Sequence, residues 1–93
     1  MEIEFDENKR LSNLAKHGLD FLDAPDVFAG EFVQIEDLRQ YDSERRYQVL
    51  GYLRGRRVCL VWTPRGVVRR IITMRYAHAE EHEHHLGSID QSG

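Results

Sequence analysis

Tyr47-Gln48-Val49-Leu50-Gly51-Tyr52-Leu53, then Arg54-Gly55, then Arg56-Arg57-Val58-Cys59-Leu60-Val61-Trp62-Thr63 and Pro64-Arg65-Gly66, is the stretch from which the fold is read. Its two runs rich in β-branched and aromatic residues are separated by an Arg-Gly turn signal and followed by a Pro-x-Gly one. The segment Val58 to Trp62 is apolar at every position, which predicts a central strand covered on both faces. Upstream, Phe32-Val33-Gln34-Ile35 reads as a further strand, and downstream Val67 to Tyr76 as another. Their spacing predicts an antiparallel meander. In the last strand, alternation places Ile72 and Met74 on one face and Ile71, Thr73 and Arg75 on the other. The same parity sends Arg70 to the face opposite Arg75 unless a bulge intervenes.

Toward the N-terminus the period changes. Residues 2–5 read as a short strand, and Asp6 can cap a helix over Glu7–His17, whose Leu11, Leu14, Ala15 and Gly18 recur at the spacing of one apolar face. Gly18 suits a left-handed C-terminal residue. A second helix carries Phe21, Ala24, Val27 and Phe28 inward. Pro25 lacks a backbone donor, so the regular turn starts with Asp23 as cap and ends at Gly30. A last helix is predicted over 77–86, with a loose tail over 87–93. The fold class is therefore α+β: a small antiparallel sheet with N-terminal helices packed on it and a C-terminal helix.

The 93 residues, 41% apolar and 31% charged, predict one domain over 1–93 with a thin core. Such a core cannot enclose a large cofactor, which excludes a dinucleotide-binding enzyme or a barrel. Cys59 has no cysteine partner and sits within the apolar run, as a small buried residue would. The start Met1-Glu2-Ile3-Glu4-Phe5-Asp6 has neither the basic residues nor the apolar stretch of a signal peptide, and no run is long enough to span a bilayer. A soluble cytoplasmic protein with no membrane partner is expected. The net charge of -3 hides a sorting along the chain. Residues 1–38 carry 3 basic and 10 acidic groups, residues 39–75 carry 10 basic and 2 acidic, and residues 76–93 carry 4 acidic. All ten basic residues of the middle block are arginines, whose planar forks suit phosphate. This predicts a local basic face; the alternative is that the arginines pair with the acidic flanks across the fold.

Specific strings run along the chain in order. Phe5-Asp6-x-x-Lys9 is followed by Asn13-x-x-Lys16-His17-Gly18-Leu19-x-Phe21, then Ala24 and Val27-Phe28. Glu44-x-Arg46-Tyr47, Leu50-Gly51 and Ile71-Ile72-Thr73-Met74-Arg75 leading into Ala77 complete the set. Together they resemble the BrnT toxin family over roughly residues 3–83. The resemblance implies a ribonuclease toxin of a type II toxin–antitoxin module with a RelE-like fold. It also implies a ribbon-helix-helix antitoxin of the BrnA type, with operator DNA reached only through that antitoxin. Pro25 and the acidic, His-rich stretch 78–85 depart from the family pattern.

Cleavage of RNA without a metal uses the 2′-hydroxyl as nucleophile, so no cofactor is expected. The protein must handle two protons and stabilise an anionic phosphorus. Arg46 and Arg75 are the foremost candidates for the phosphate. His17 is the candidate general acid, because imidazole titrates nearest neutrality. Lys16 beside it can hold a phosphate, although both residues can equally cap the open carbonyls of the helix end. Glu44 is the candidate base, or a solvated partner of its neighbouring arginines. Arg70, Arg45, Tyr47 and Arg69 are candidate RNA-binding residues, and Tyr41 and Tyr52 can stack on bases. Arg54, Arg56, Arg57 and Arg65 flank turns and read as surface charges. His78, His82 and His85 share one side of the predicted last helix; without a His-Glu-x-x-His string they read as a polar face rather than a metal site. The alternative function is a noncatalytic binding module, a partner or corepressor of a DNA-binding protein.

Overall fold

A computed structural model describes residues 1–39 and 44–78. The elements, in chain order, are β1 (Ile3–Glu4), α1 (Glu7–His17), a 3-10 turn (Phe21–Asp23), α2 (Ala24–Ala29), β2 (Val33–Asp37), β3 (Arg46–Leu53), β4 (Arg56–Arg65) and β5 (Val68–Tyr76). The architecture is α+β, with a five-stranded sheet ordered β1-β5-β4-β3-β2. The expected meander holds for β2 to β5, which pair antiparallel in sequence. The sheet is nevertheless mixed, because β1 joins β5 in parallel through Ile3↔Arg69 and Glu4↔Arg70. The helix predicted over 77–86 and the tail 87–93 lie outside the described residues apart from Ala77 and His78, which are not helical. Among the described residues no helix is long and apolar enough to cross a membrane.

α1 begins and ends where local chemistry dictates. The Asp6 carboxylate accepts from the Lys9 amide at 3.2 Å, and Gly18 takes φ 72° while its N–H donates to the Leu14 carbonyl at 2.9 Å. Both are standard ways of satisfying groups that a helix end leaves unpaired. Pro25 sits in the first turn of α2, where a missing N–H costs nothing. Phe21, Ala24, Val27 and Phe28 are buried against Val49, Leu53, Val58, Leu60, Trp62, Ile71 and Met74 of one sheet face. Gly51 on that face makes the approach possible: a Cβ there would lie 2.9 Å from Val27 Cγ1 and 3.2 Å from Phe32 Cβ.

Two expectations are corrected. The apolar spacing of α1 does not mark its buried face, since Leu11 is 50% and Leu14 37% exposed, Ala15 and Gly18 are exposed, and Asn13 is the buried residue of the helix. The alternation of β5 also breaks. Val61 pairs with Thr73 but Trp62 pairs with Ile71, so Ile72 is an extra residue that shifts the register. Ile71 and Met74, not Ile72 and Met74, therefore enter the core, and Arg70, Thr73 and Arg75 come to share the opposite face.

Leu50 and Cys59, register partners on that opposite face, are also buried. The all-apolar run of β4 thus carries buried residues on both sides, as its composition predicts. The 2–5 strand, both N-terminal helices and all four meander strands appear within a few residues of their predicted bounds.

Candidate functional site

Asn13, the buried residue of α1, ties the helix to the sheet. Beyond its short pairing with β1, β5 is an edge strand whose outward backbone groups need partners. Asn13 supplies them: its Nδ2 donates to the carbonyls of Met74 at 2.9 Å and Leu19 at 3.1 Å. Its Oδ1 accepts from the Met74 amide at 3.2 Å and the Thr73 hydroxyl at 3.3 Å. Arg10 holds the same helix from another side, donating to Glu7 at 2.6 and 2.9 Å and to Asp20 at 3.0 Å. The hydrogen bond from Arg10 lowers the Glu7 carboxyl below its usual value of 4.5, and the guanidinium is in turn raised by Glu7 and Asp20.

Where α1 crosses the bulge of β5, a depression of roughly 220 Å³ opens, lined by Lys9, Ser12, Asn13, Lys16, His17, Ile72 and Thr73. Lys9, Ser12 and Lys16 line one flank of α1 at i, i+3 and i+7. None of Lys9, Lys16 and His17 has a carboxylate partner among the described residues, whereas ion pairs tie up arginines elsewhere. Two ammonium groups, an imidazole and the Ser12 hydroxyl around one hollow can hold an oxyanion and pass a proton. Among the described residues no carboxylate lines it, a donor set unlike that of a divalent cation site.

The arginines of the sheet are distributed differently from the sequence expectation. Arg46 faces Glu44 at 3.5 Å, and the same carboxylate meets Arg65 at 2.7 Å. Arg70 pairs with Glu4 at 2.9 Å across the β1–β5 join. Arg45 lies 3.8 Å from Glu36, and its guanidinium is raised first by its interaction with Tyr47 and then by the Glu36 charge. Arg69 is on the helix side, its guanidinium 4.2 Å from the Phe28 ring centre and 4.8 Å from that of Trp62. Tyr47 stacks on Trp62 at 4.9 Å and packs against the core. Tyr41 lies outside the described residues, as do His82 and His85.

Arg46, Arg70 and Arg75 share one face, but they do not gather at one point. Arg75 pairs with Cys59, four residues along β4 from Thr63, which pairs with Arg70. With β4 between them, Arg46 and Arg75 are about 16 Å apart at the backbone by strand geometry. Arg75 is the one nearest the depression, two residues from Thr73. Glu44 stays with Arg46 and Arg65, outside the residues that line it.

Of the expected site residues, the structure thus brings Lys16 and His17 together and adds Lys9, Ser12, Asn13 and Thr73. The last four carry no chemical role in the sequence reading, although Lys9, Asn13 and Thr73 stand in the family-like strings. The i, i+3, i+7 spacing of Lys9, Ser12 and Lys16 was the available signal.

A family model described as the ribonuclease toxin BrnT of type II toxin–antitoxin systems matches residues 5–81. No curated protein matches the chain.

Proposed function

The chain belongs to the BrnT family of ribonuclease toxins of type II toxin–antitoxin systems, and from that premise we propose that the depression between α1 and β5 is where RNA is cut. The protein is thus an endoribonuclease toxin with RNA as substrate and an antitoxin as partner. The observation that carries the location is that Lys9, Lys16 and His17 line one hollow with no carboxylate among the described residues that line it.

In this reading cleavage needs no metal. Lys9 and Lys16 hold the scissile phosphate, and the Ser12 hydroxyl donates to one of its oxygens. The substrate 2′-oxygen attacks phosphorus, its proton passes to water, and the P–O5′ bond breaks as His17 protonates the departing 5′-oxygen. The products are a 2′,3′-cyclic phosphate and a free 5′-hydroxyl. Placing fixed positive charge around the crowded phosphorus is the main source of acceleration. Arg75, two residues from Thr73, serves the adjoining phosphate. Arg46 and Glu44 form with Arg65 a charged cluster at another part of the sheet, where they contact RNA or support the fold. The finer family features belong to the same proposal: a RelE-like architecture, a ribbon-helix-helix antitoxin of the BrnA type, operator DNA bound through it, and action in the cytoplasm.

The test is cleavage of an unstructured RNA in the presence of a chelator. The wild-type protein should remain active, and Lys9→Ala with Lys16→Ala should lower the rate by about two to three orders of magnitude while the circular dichroism spectrum is retained. An undiminished rate in that folded double variant would refute the location.

A further inference from the structure

The residues around the depression form two walls of different chemistry. Lys9, Ser12, Lys16 and His17 come from α1, whereas Ile72 and Thr73 come from β5. Asn13, between them, has nothing left to offer a ligand. Both Nδ2 hydrogens go to the Leu19 and Met74 carbonyls, and Oδ1 accepts from the Met74 amide and the Thr73 hydroxyl. The Thr73 hydroxyl spends its one hydrogen in that contact. The β5 wall therefore brings no side-chain hydrogen to donate, and Ile72 is the one apolar residue among the described residues that line the hollow.

Ile72 owes its place to the register shift. Val61 pairs with Thr73 and Trp62 with Ile71, so Ile72 is the inserted residue, and a bulge re-aims the side chain it carries. Ile71 and Met74 on either side are buried in the core, while Ile72 stays half-buried at the hollow. A cationic wall facing an apolar one matches the two parts of a nucleotide, an anionic phosphate tied to a flat base. With the phosphate against α1, the face of a neighbouring base packs on Ile72. A base inside a duplex has its faces covered by stacked neighbours, so only an unpaired base that leaves the stack can make this contact.

We propose that Ile72 is the base-contact residue of the cleavage centre, which takes RNA as an unpaired nucleotide packed on the β5 wall. The assignment rests on the location of the cleavage centre given above, and it adds the base to the phosphate as a determinant of affinity. Ile72 reads the presence of a base face and not the hydrogen-bonding groups on its edge.

Two ligands that cannot be cut test it in NMR titrations: a 2′-O-methyl adenosine dinucleotide, and the same sugar–phosphate unit with both bases removed. The wild-type protein should bind the base-bearing ligand about tenfold more tightly than the abasic one. Ile72→Ala should weaken the base-bearing ligand by about that factor and change the abasic one little. Ile72→Thr, which keeps the branching that suits a strand but loses apolar surface, should lose the preference in the same way. Ile72→Val should retain most of it. Lys9→Ala with Lys16→Ala should weaken both ligands alike, and the amide spectrum of each variant reports its folding. Equal wild-type affinity for the two ligands would overturn the base contact. So would folded Ile72→Ala and Ile72→Thr proteins that keep the preference or weaken both ligands alike. In either case weakened binding by the double lysine variant leaves the cleavage centre standing. Both affinities unmoved in the double lysine variant would overturn the cleavage centre, and the role of Ile72 with it.

Discussion

His17 stands at the last position of α1, at the rim of the depression and two residues short of the buried Leu19. If its imidazolium protonates the departing 5′-oxygen, its removal must hurt most when that oxygen is a poor leaving group. His17→Ala should therefore slow cleavage of ordinary RNA by about 10²–10⁴-fold, and should approach the wild-type rate on a substrate with a 5′-bridging sulfur, which leaves without a proton. Equal losses on both substrates would show that His17 is not the acid. Glu7 makes a prediction of another kind. Its folded carboxyl is lowered by the hydrogen bond from Arg10, so the stabilisation is present above the usual 4.5 and is lost as pH falls through the lowered folded value. A comparison of Glu7→Gln with the wild type by denaturant titration should show a difference at neutral pH that shrinks in acid.

Among the elements, the ends of α1 were readable because each depends on a neighbour within four residues: Asp6 reaches the Lys9 amide, and Gly18 reaches Leu14. Its buried face was not readable. Periodicity assumes that apolar side chains decide which way a helix turns, but here Asn13 decides by completing the open edge of β5. The bulge at Ile72 was hidden for a related reason, since a register shift belongs to the pairing of β5 with β4 and leaves no local mark. Arg70 and Arg75 therefore exchange the expected opposite faces for a common one. Asn13→Ala should cost about 1–3 kcal/mol, because it strands the Met74 amide in a buried setting. Chemical denaturation measures the loss. Cleavage below the unfolding midpoint should also fall, since α1 carries Lys9, Lys16 and His17; full activity in a destabilised variant would separate the anchor from the site.

Across the whole molecule, the charge sorting along the chain was legible but its meaning was only half so. The acidic N-terminal segment does not face away from the arginine block: Glu4 returns to Arg70, Glu36 to Arg45 and Asp23 to Arg54. The Glu4–Arg70 and Asp23–Arg54 matches join residues distant in sequence, so no short window of the chain reveals them. Among the described residues, the cations without a carboxylate partner include Lys9 and Lys16 on α1, outside the arginine block, as well as Arg56, Arg57 and Arg69 of the sheet. The family strings placed Lys16 and His17 next to each other from the start, and the fold supplied the hollow they face.

The most direct test of the cleavage centre is an amide-resolved NMR titration of the protein with a uridine dinucleotide carrying 2′-deoxyribose at the cleavage position. Shifts should concentrate at Lys9, Ser12, Lys16, His17, Ile72 and Thr73. Shifts confined to Glu44, Arg45, Arg46 and Arg65, with α1 unmoved, would contradict the account.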